Sequence, residues 1–220
     1  MLKVRPTHPR HPNGWKTCYL LVALLSLLGC ASSASSAAAS APKSGSLLVD
    51  DFEDRNLESA VGLSWIIVAD DQMGGNSKVH LSIARPGANG SRAALRITGN
   101  VAQGFQFPFA GVWALTRPDG RPNDLSAYRG IRFYARGPKG SYLAGLRHIQ
   151  ARQGISFVAS FEVQPEWTRV EIPFDKLQRY PPTGPAVEFT AKNTLMVGIS
   201  TAGRFQGEFQ VEIDQVELYS

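Results

Sequence analysis

Acidic residues able to do chemistry gather near both ends of the β-rich part of this chain. In the run Glu212-Ile-Asp-Gln-Val-Glu217, apolar side chains fall at odd positions up to Ile213 (Phe209, Val211, Ile213). They fall at even positions afterwards (Val216, Leu218). A strand whose apolar phase slips by one residue carries a β-bulge, and a bulge at Asp214–Gln215 puts Glu212, Asp214 and Glu217 on one face. Three carboxylates on one face suit acid–base chemistry or a hard cation. The second acidic group is Asp50-Asp51-Phe52-Glu53-Asp54. First and last strands of a jelly roll are often neighbours, which makes Asp51, Glu53 and Asp214 candidate oxygen ligands for one Ca²⁺. Solvated edge carboxylates that discourage strand-to-strand association would explain the same residues.

Asp70-Asp71-Gln72-Met73-Gly74-Gly75-Asn76-Ser77 is the densest turn signal in the chain. Its paired glycines allow positive φ and close backbone approach. Asp71, Met73, Gly74, Gly75 and Ser77 form either a structural turn, the favoured reading, or a ligand loop; a phosphate cradle would need a following helix or Lys that is not legible here. Aromatic side chains are plentiful. Phe105, Phe107, Phe109 and Trp113 recur at even spacing, and Trp65, Tyr134, Tyr142 and Trp167 add to them. Aromatic strand faces stack on sugar rings but are more often core, and Pro108 marks its stretch as edge or irregular. Trp113, Tyr142, Arg147 and Trp65 are the candidate ligand-face residues, because aromatics offer stacking and Arg a planar fork of donors. His80 and His148 have no partner at metal spacing, and no nucleophile-elbow, zinc-protease, Cys-x-x-Cys or Walker run occurs.

The elements that would position these residues are strands. Short runs with β character lie at Leu47–Phe52, Leu63–Val68, Lys78–Ile83, Ala93–Ile97, Gly111–Leu115, Gly130–Ala135, Tyr142–His148, Ser156–Phe161, Thr168–Ile172, Thr194–Ile199 and Phe209–Tyr219. They are separated by Gly, Pro, Asn and Asp. No window sustains a helical stripe, so the expected fold is an all-β jelly-roll β-sandwich over residues 47–220.

The N-terminal part reads differently. A basic, Pro-rich segment precedes the apolar run Cys18–Leu28, too short to span a bilayer as a helix, which needs about 20 residues, but suited to a signal-peptide core. The run ends in Leu27-Leu28-Gly29-Cys30, which resembles the lipobox of bacterial lipoproteins. Residues 1–29 are therefore expected to be a signal, Cys30 a lipidated N-terminus, and residues 30–46 a flexible Ala/Ser tether. Its reach is roughly 20–24 Å. Ala31 after the Cys favours the outer membrane, facing the periplasm.

The formal net charge of +5 invites a nucleic-acid reading. Lys3, Arg5, Arg10 and Lys16 lie in the first 29 residues, which hold no Asp or Glu, so beyond them 19 basic residues face 18 acidic ones. No patch argues for phosphate binding, and nucleic acid is excluded as a partner. Both cysteines, Cys18 and Cys30, precede the domain, so it contains neither disulfide nor thiolate metal site. Calcium is the one cofactor the residues suggest.

Several motifs in fixed order carry a family resemblance: Trp65, Asp71-Gln-Met-Gly-Gly-Asn-Ser77, Asp124-Leu-Ser-Ala-Tyr-Arg-Gly-Ile131, Arg136-Gly137, Tyr142, Trp167, Ile172-Pro-Phe174 and Phe209 to Asp214. This pattern resembles the complex I intermediate-associated protein 30 family. The resemblance implies a galactose-binding-domain-like jelly roll similar to family-11 carbohydrate-binding modules, and the Phe107–Trp113 run looks closer to that branch. Where the family commonly reads Arg-Gly-Asp-Gly, this chain reads Arg136-Gly-Pro-Lys-Gly140. The carboxylate run also superficially resembles the E-I-D-x-x-E signature of laminarinase-type family-16 glycosidases, but Gln215 departs from it.

These readings converge on a membrane-anchored, non-enzymatic lipoprotein that binds a glycan through the concave face of its sandwich. The alternative is an assembly factor, or chaperone-like partner, of a membrane or envelope protein complex. A complex I role of the mitochondrial kind meets an obstacle: a short tether at the outer membrane does not reach the inner one.

Overall fold

The computed structural model describes residues 45–149, 155–182, 187–201 and 205–220. The expected signal, Cys30 and most of the tether lie outside the described residues.

Twelve strands carry the fold: β1 Leu47–Asp50, β2 Ile66–Ala69, β3 Lys78–Ala84, β4 Ala94–Val101, β5 Ala110–Leu115 and β6 Gly130–Arg136, followed by β7 Gly140–His148, β8 Ser156–Val163, β9 Thr168–Pro173, β10 Gln178–Tyr180, β11 Thr194–Thr201 and β12 Gly207–Tyr219. They form two six-stranded sheets. The first runs β3-β4-β12-β6-β9 with β1 also paired to β12, and the second runs β10-β8-β7-β11-β5-β2. Every neighbouring pair is antiparallel. The all-β sandwich expected from the sequence is the observed fold.

Alternation builds the core. On the first sheet Leu95, Ile97, Ile131, Phe133, Val211 and Ile213 point inward. On the second, Val112, Ala114, Ala144, Leu146, Val197 and Ile199 do the same. Successive side chains on a strand alternate faces, so the residues between them form the two outer faces.

β12 carries the bulge. Its register against β6 shifts between Asp214 and Glu217, and Gln215 has φ +49°. The irregularity also marks a change of partner. Residues 207–213 pair with β4, whereas Val216–Leu218 pair with β1. The extra residue restores inward orientation for Val216 and Leu218, both buried.

Two expectations are corrected and one strand is new. Phe105, Phe107 and Phe109 precede β5 and form no strand face; Phe107 is half exposed. The first strand stops at Asp50 because Phe52 adopts φ +54°. β10 has no counterpart in the sequence reading, since three residues are too few to show a period.

Candidate functional site

The two outer faces differ in chemistry. On the first sheet arginines are matched to carboxylates. Glu212, nearly buried, lies between Arg96 (2.8 Å) and Arg136 (2.7 Å). Arg136 in turn stacks over Trp167. Arg132 pairs with Glu217 and Glu171, and Arg169 with Glu171. Both glutamates of the E-I-D-x-x-E run are thus held by arginines, in ladders across β4, β12, β6 and β9. Arg136 is the residue from the family loop motif, and its role is this ladder.

The second sheet's outer face is mostly uncharged. Cross-strand register aligns Val158, Gly145, Gly198, Trp113 and Ile66 in one row. The next row holds Tyr180, Ser156, Arg147, Met196 and Leu115. Two consecutive glycines leave the centre of the face without side chains. Trp113 lies against this gap: a Cβ at Gly198 would come 2.6 Å from the indole. The Arg147 guanidinium sits over the Trp113 ring, 5.4 Å from its centroid.

Arg147 makes no ion pair among the described residues, and its buried Nε has no hydrogen-bond partner there. Burial pushes its pKa below the ordinary arginine value. A guanidinium nevertheless remains cationic at neutral pH. Beside this pair, towards β10, opens a cleft of about 500 Å³ lined by Leu143, Val158, Ser160, Lys176, Gln178 and Tyr180, among others. Hydroxyls, an amide, a phenol and cations along an apolar floor can donate to and accept from a polar, ring-shaped ligand.

The structure brings two of the four ligand-face candidates together and separates the others. Trp113 and Arg147 are in contact, but the indole is itself buried, 4% exposed, so Arg147 is the member of the pair that reaches the surface. Trp65 is instead core, 5% exposed, with its indole N–H donating to Asp50 Oδ2. Tyr142 also faces inward; its hydroxyl donates to the Gln210 carbonyl, and its ring packs near Phe161, Phe205 and Phe209. Parity decides its face: Tyr142 shares the phase of core residues Ala144 and Leu146, while Arg147 has the opposite one. It lines a cleft of about 690 Å³ with Lys78, His80, Lys139 and Gln210, on the side of the first sheet.

The sequence model of the complex I intermediate-associated protein 30 family matches residues 51–213. The chain belongs to this family. Its fold is that of solved carbohydrate-binding modules. A family-11 module of a cellulosomal cellulase of Clostridium thermocellum is 19% identical, with TM-score 0.60 over 80% of this chain and 95% of that one. The family-11 module from Clostridium thermocellum in complex with a β-1,3-1,4-mixed-linked tetrasaccharide is also 19% identical, with TM-score 0.58 over 80% and 96%. A family-30 module is 17% identical, with TM-score 0.53 over 81% and 89%. No curated protein matches the chain.

In this member of the complex I intermediate-associated protein 30 family, the Asp-Gln-Met-Gly-Gly-Asn-Ser stretch is a structural clasp. Its centre is Asp70, the first residue of the turn signal but not one of the residues picked from it as candidates. The fully buried Asp70 carboxylate accepts from the Ser77 backbone N–H (2.9 Å), Ser77 Oγ (2.6 Å) and the Phe109 N–H (3.1 Å). Gly75 is needed because a Cβ there would lie 2.1 Å from Asp70 Oδ1, and Gly74 takes φ +92°. Asp71 pairs with Lys78, and Met73 is 59% exposed.

The calcium trio is not assembled. Among the described residues no group of three or more His, Cys, Asp or Glu side chains could hold a metal. Glu53 accepts from Ser91 Oγ, Arg92 N–H and Arg92 Nε, and these bonds, the arginine's first, hold its pKa down at about 2. Asp214 is fully buried and accepts from the Ala88 and Gln215 N–H groups, while burial raises its pKa. Asp51 Oδ1 accepts from the Glu53 N–H. Protein donors already engage both oxygens of Glu53 and of Asp214 and one oxygen of Asp51.

Proposed function

We propose that this chain is a non-enzymatic binding module that recognises a glycan on the outer face of its second sheet, held at the cell envelope by a lipid on Cys30. One observation carries the reading: a guanidinium without an acidic partner among the described residues rests over an indole, on the same sheet face as a cleft lined by Ser160, Gln178 and Tyr180, on a fold shared with a module in complex with a tetrasaccharide. Arg supplies directional donors to sugar hydroxyls, while the buried Trp113 indole holds the guanidinium in place. The carboxylates that could have suggested hydrolysis are tied to arginines on the opposite face.

Affinity electrophoresis of the full chain against a panel of polysaccharides tests the reading. Retardation by at least one polymer, weakened by Trp113→Ala, is the expected result; migration unchanged in every polymer overturns it. Palmitate labelling tests the tether, with incorporation expected in the native chain and lost in Cys30→Ser.

Family membership supports a second reading, an assembly factor for a membrane or envelope protein complex. Met73 and Phe107 are 59% and 50% exposed. They lie in segments joined by the Asp70–Phe109 hydrogen bonds. Exposed apolar side chains on adjoining segments suit a protein partner. Co-purification of protein rather than glycan from membranes, abolished by Met73→Asp with Phe107→Asp, would favour this reading.

A further inference from the structure

We infer that the glycan bound on the second sheet carries carboxylates, as in a uronate-containing polysaccharide, and that Arg147 is the residue that pairs with them. This rests on the glycan-binding reading above and names the class of sugar.

The inference comes from a contrast within one molecule. On the outer face of the first sheet, Arg96, Arg132, Arg136 and Arg169 all meet glutamates. On the second sheet, Arg147 has none. Its Nε is buried without an acceptor among the described residues, although the side chain as a whole is half-buried and shares a cross-strand row with Tyr180, which lines the cleft. A half-buried cation with an unused donor is unfavourable in the free protein and becomes favourable when an acceptor, best of all an anionic one, arrives.

The surroundings reinforce this. The cleft two strands over is lined by Lys176 and, among the residues described, by no Asp or Glu. Lys176 is exposed and makes no ion pair among the described residues. Glu162 is an acid on this outer face, paired in register with Ser141. That places it six residues along β7 from Arg147, about 20 Å at the usual strand rise. Arg147 and Lys176 are therefore two cations of this region that no carboxylate pairs with among the described residues; the exposed Asp175 is next to Lys176 in the chain but forms no ion pair with it. A planar guanidinium can take a carboxylate with two parallel hydrogen bonds, whereas a neutral sugar hydroxyl offers it no charge.

The test uses the full chain and matched pairs of polymers: polygalacturonate and alginate, each against its carboxyl-reduced, neutral counterpart, with a β-1,3-1,4-mixed-linked glucan as a further neutral probe. At least one acidic polymer is expected to bind about 10- to 100-fold more tightly than its reduced form. Arg147→Gln should remove most of that difference, and Arg147→Lys, which keeps the charge without the fork, should fall between. Lys139→Ala, on the other cleft, should change nothing. Circular dichroism and melting temperature verify that the variants fold; the comparison of polymer pairs on the native chain needs no variant. Equal binding of acidic and reduced polymers, or unchanged acidic binding by folded Arg147→Gln, overturns the inference and leaves glycan recognition standing. A neutral glucan bound in preference to both acidic polymers does the same. No binding to any polymer overturns both.

Discussion

The Trp65 indole N–H donates a 2.7 Å hydrogen bond to Oδ2 of Asp50, whose other oxygen accepts from the Phe52 N–H at 2.8 Å. The bond ties the end of β1 to the segment entering β2. It also explains why an aromatic that looked like a sugar platform lies in the core: a buried indole needs an acceptor, and Asp50 provides it.

Asp50 is 4% exposed, and burial raises its pKa from 3.8 to about 6, against the lowering effect of the Trp65 bond. The folded chain thus keeps a proton that the unfolded chain releases near pH 4. This group's contribution to stability is fully present below about pH 3.8, declines as pH rises towards 6, and stays lost above it. The span corresponds to roughly 3 kcal/mol. Urea unfolding of the native chain and Asp50→Asn between pH 4 and pH 7 should show their difference changing by about that amount, with the variant gaining relative to the native chain as pH rises. A pH-independent difference would contradict the assignment.

Gly75→Ala should be more destabilising than Gly74→Ala. The first drives a methyl into the buried Asp70 carboxylate, whereas the second meets open space and suffers only its positive φ, about 1 kcal/mol. Ser77→Ala removes the Oγ bond to Asp70 and the acceptor of the Ala102 N–H, a loss of about 2 kcal/mol. Thermal unfolding of the three variants checks this order.

Glu212→Gln should cost about 2 kcal/mol, because it leaves Arg96 and Arg136 facing a neutral amide. The partial exposure of both arginines, 40% and 26%, keeps the loss below that of a fully buried pair. Denaturant unfolding measures it, while glycan affinity, on the opposite face, should be unchanged.

Gly198→Ala should weaken glycan binding at least as much as it affects folding. The added methyl would meet both the Val112 carbonyl and the Trp113 indole, displacing the ring on which Arg147 rests. Trp113→Phe, which keeps a smaller ring, is expected to lose less affinity than Trp113→Ala. Binding isotherms of the three variants check the ranking.

Chelation should leave the melting temperature within about 1 °C, since Glu53 and Asp214 already accept hydrogen bonds from protein donors. A drop of many degrees on adding EDTA, restored by calcium, would show that a cation displaces them.

The strands, the sandwich and the bulge in β12 were legible from the sequence because period-two alternation is a local property, and a one-residue slip of phase has one simple structural meaning. The family was legible because its motifs keep their order. Arg147 and Trp113 were recognisable as residues suited to a ligand face. Their contact, and the exclusion of Tyr142 and Trp65 from that face, depended on which neighbour each strand takes. Register sets Trp113 beside Gly198 and sets Gly198 beside Gly145, three strands drawn from distant parts of the chain. Likewise Asp70 and Asp71 are equivalent in sequence, and only folding buries one against Ser77 and Phe109 and leaves the other to Lys78. Alternation tells which residues share a face of one strand; pairing between remote strands decides which side chains meet, and ion pairing across them decides which charges remain unmatched.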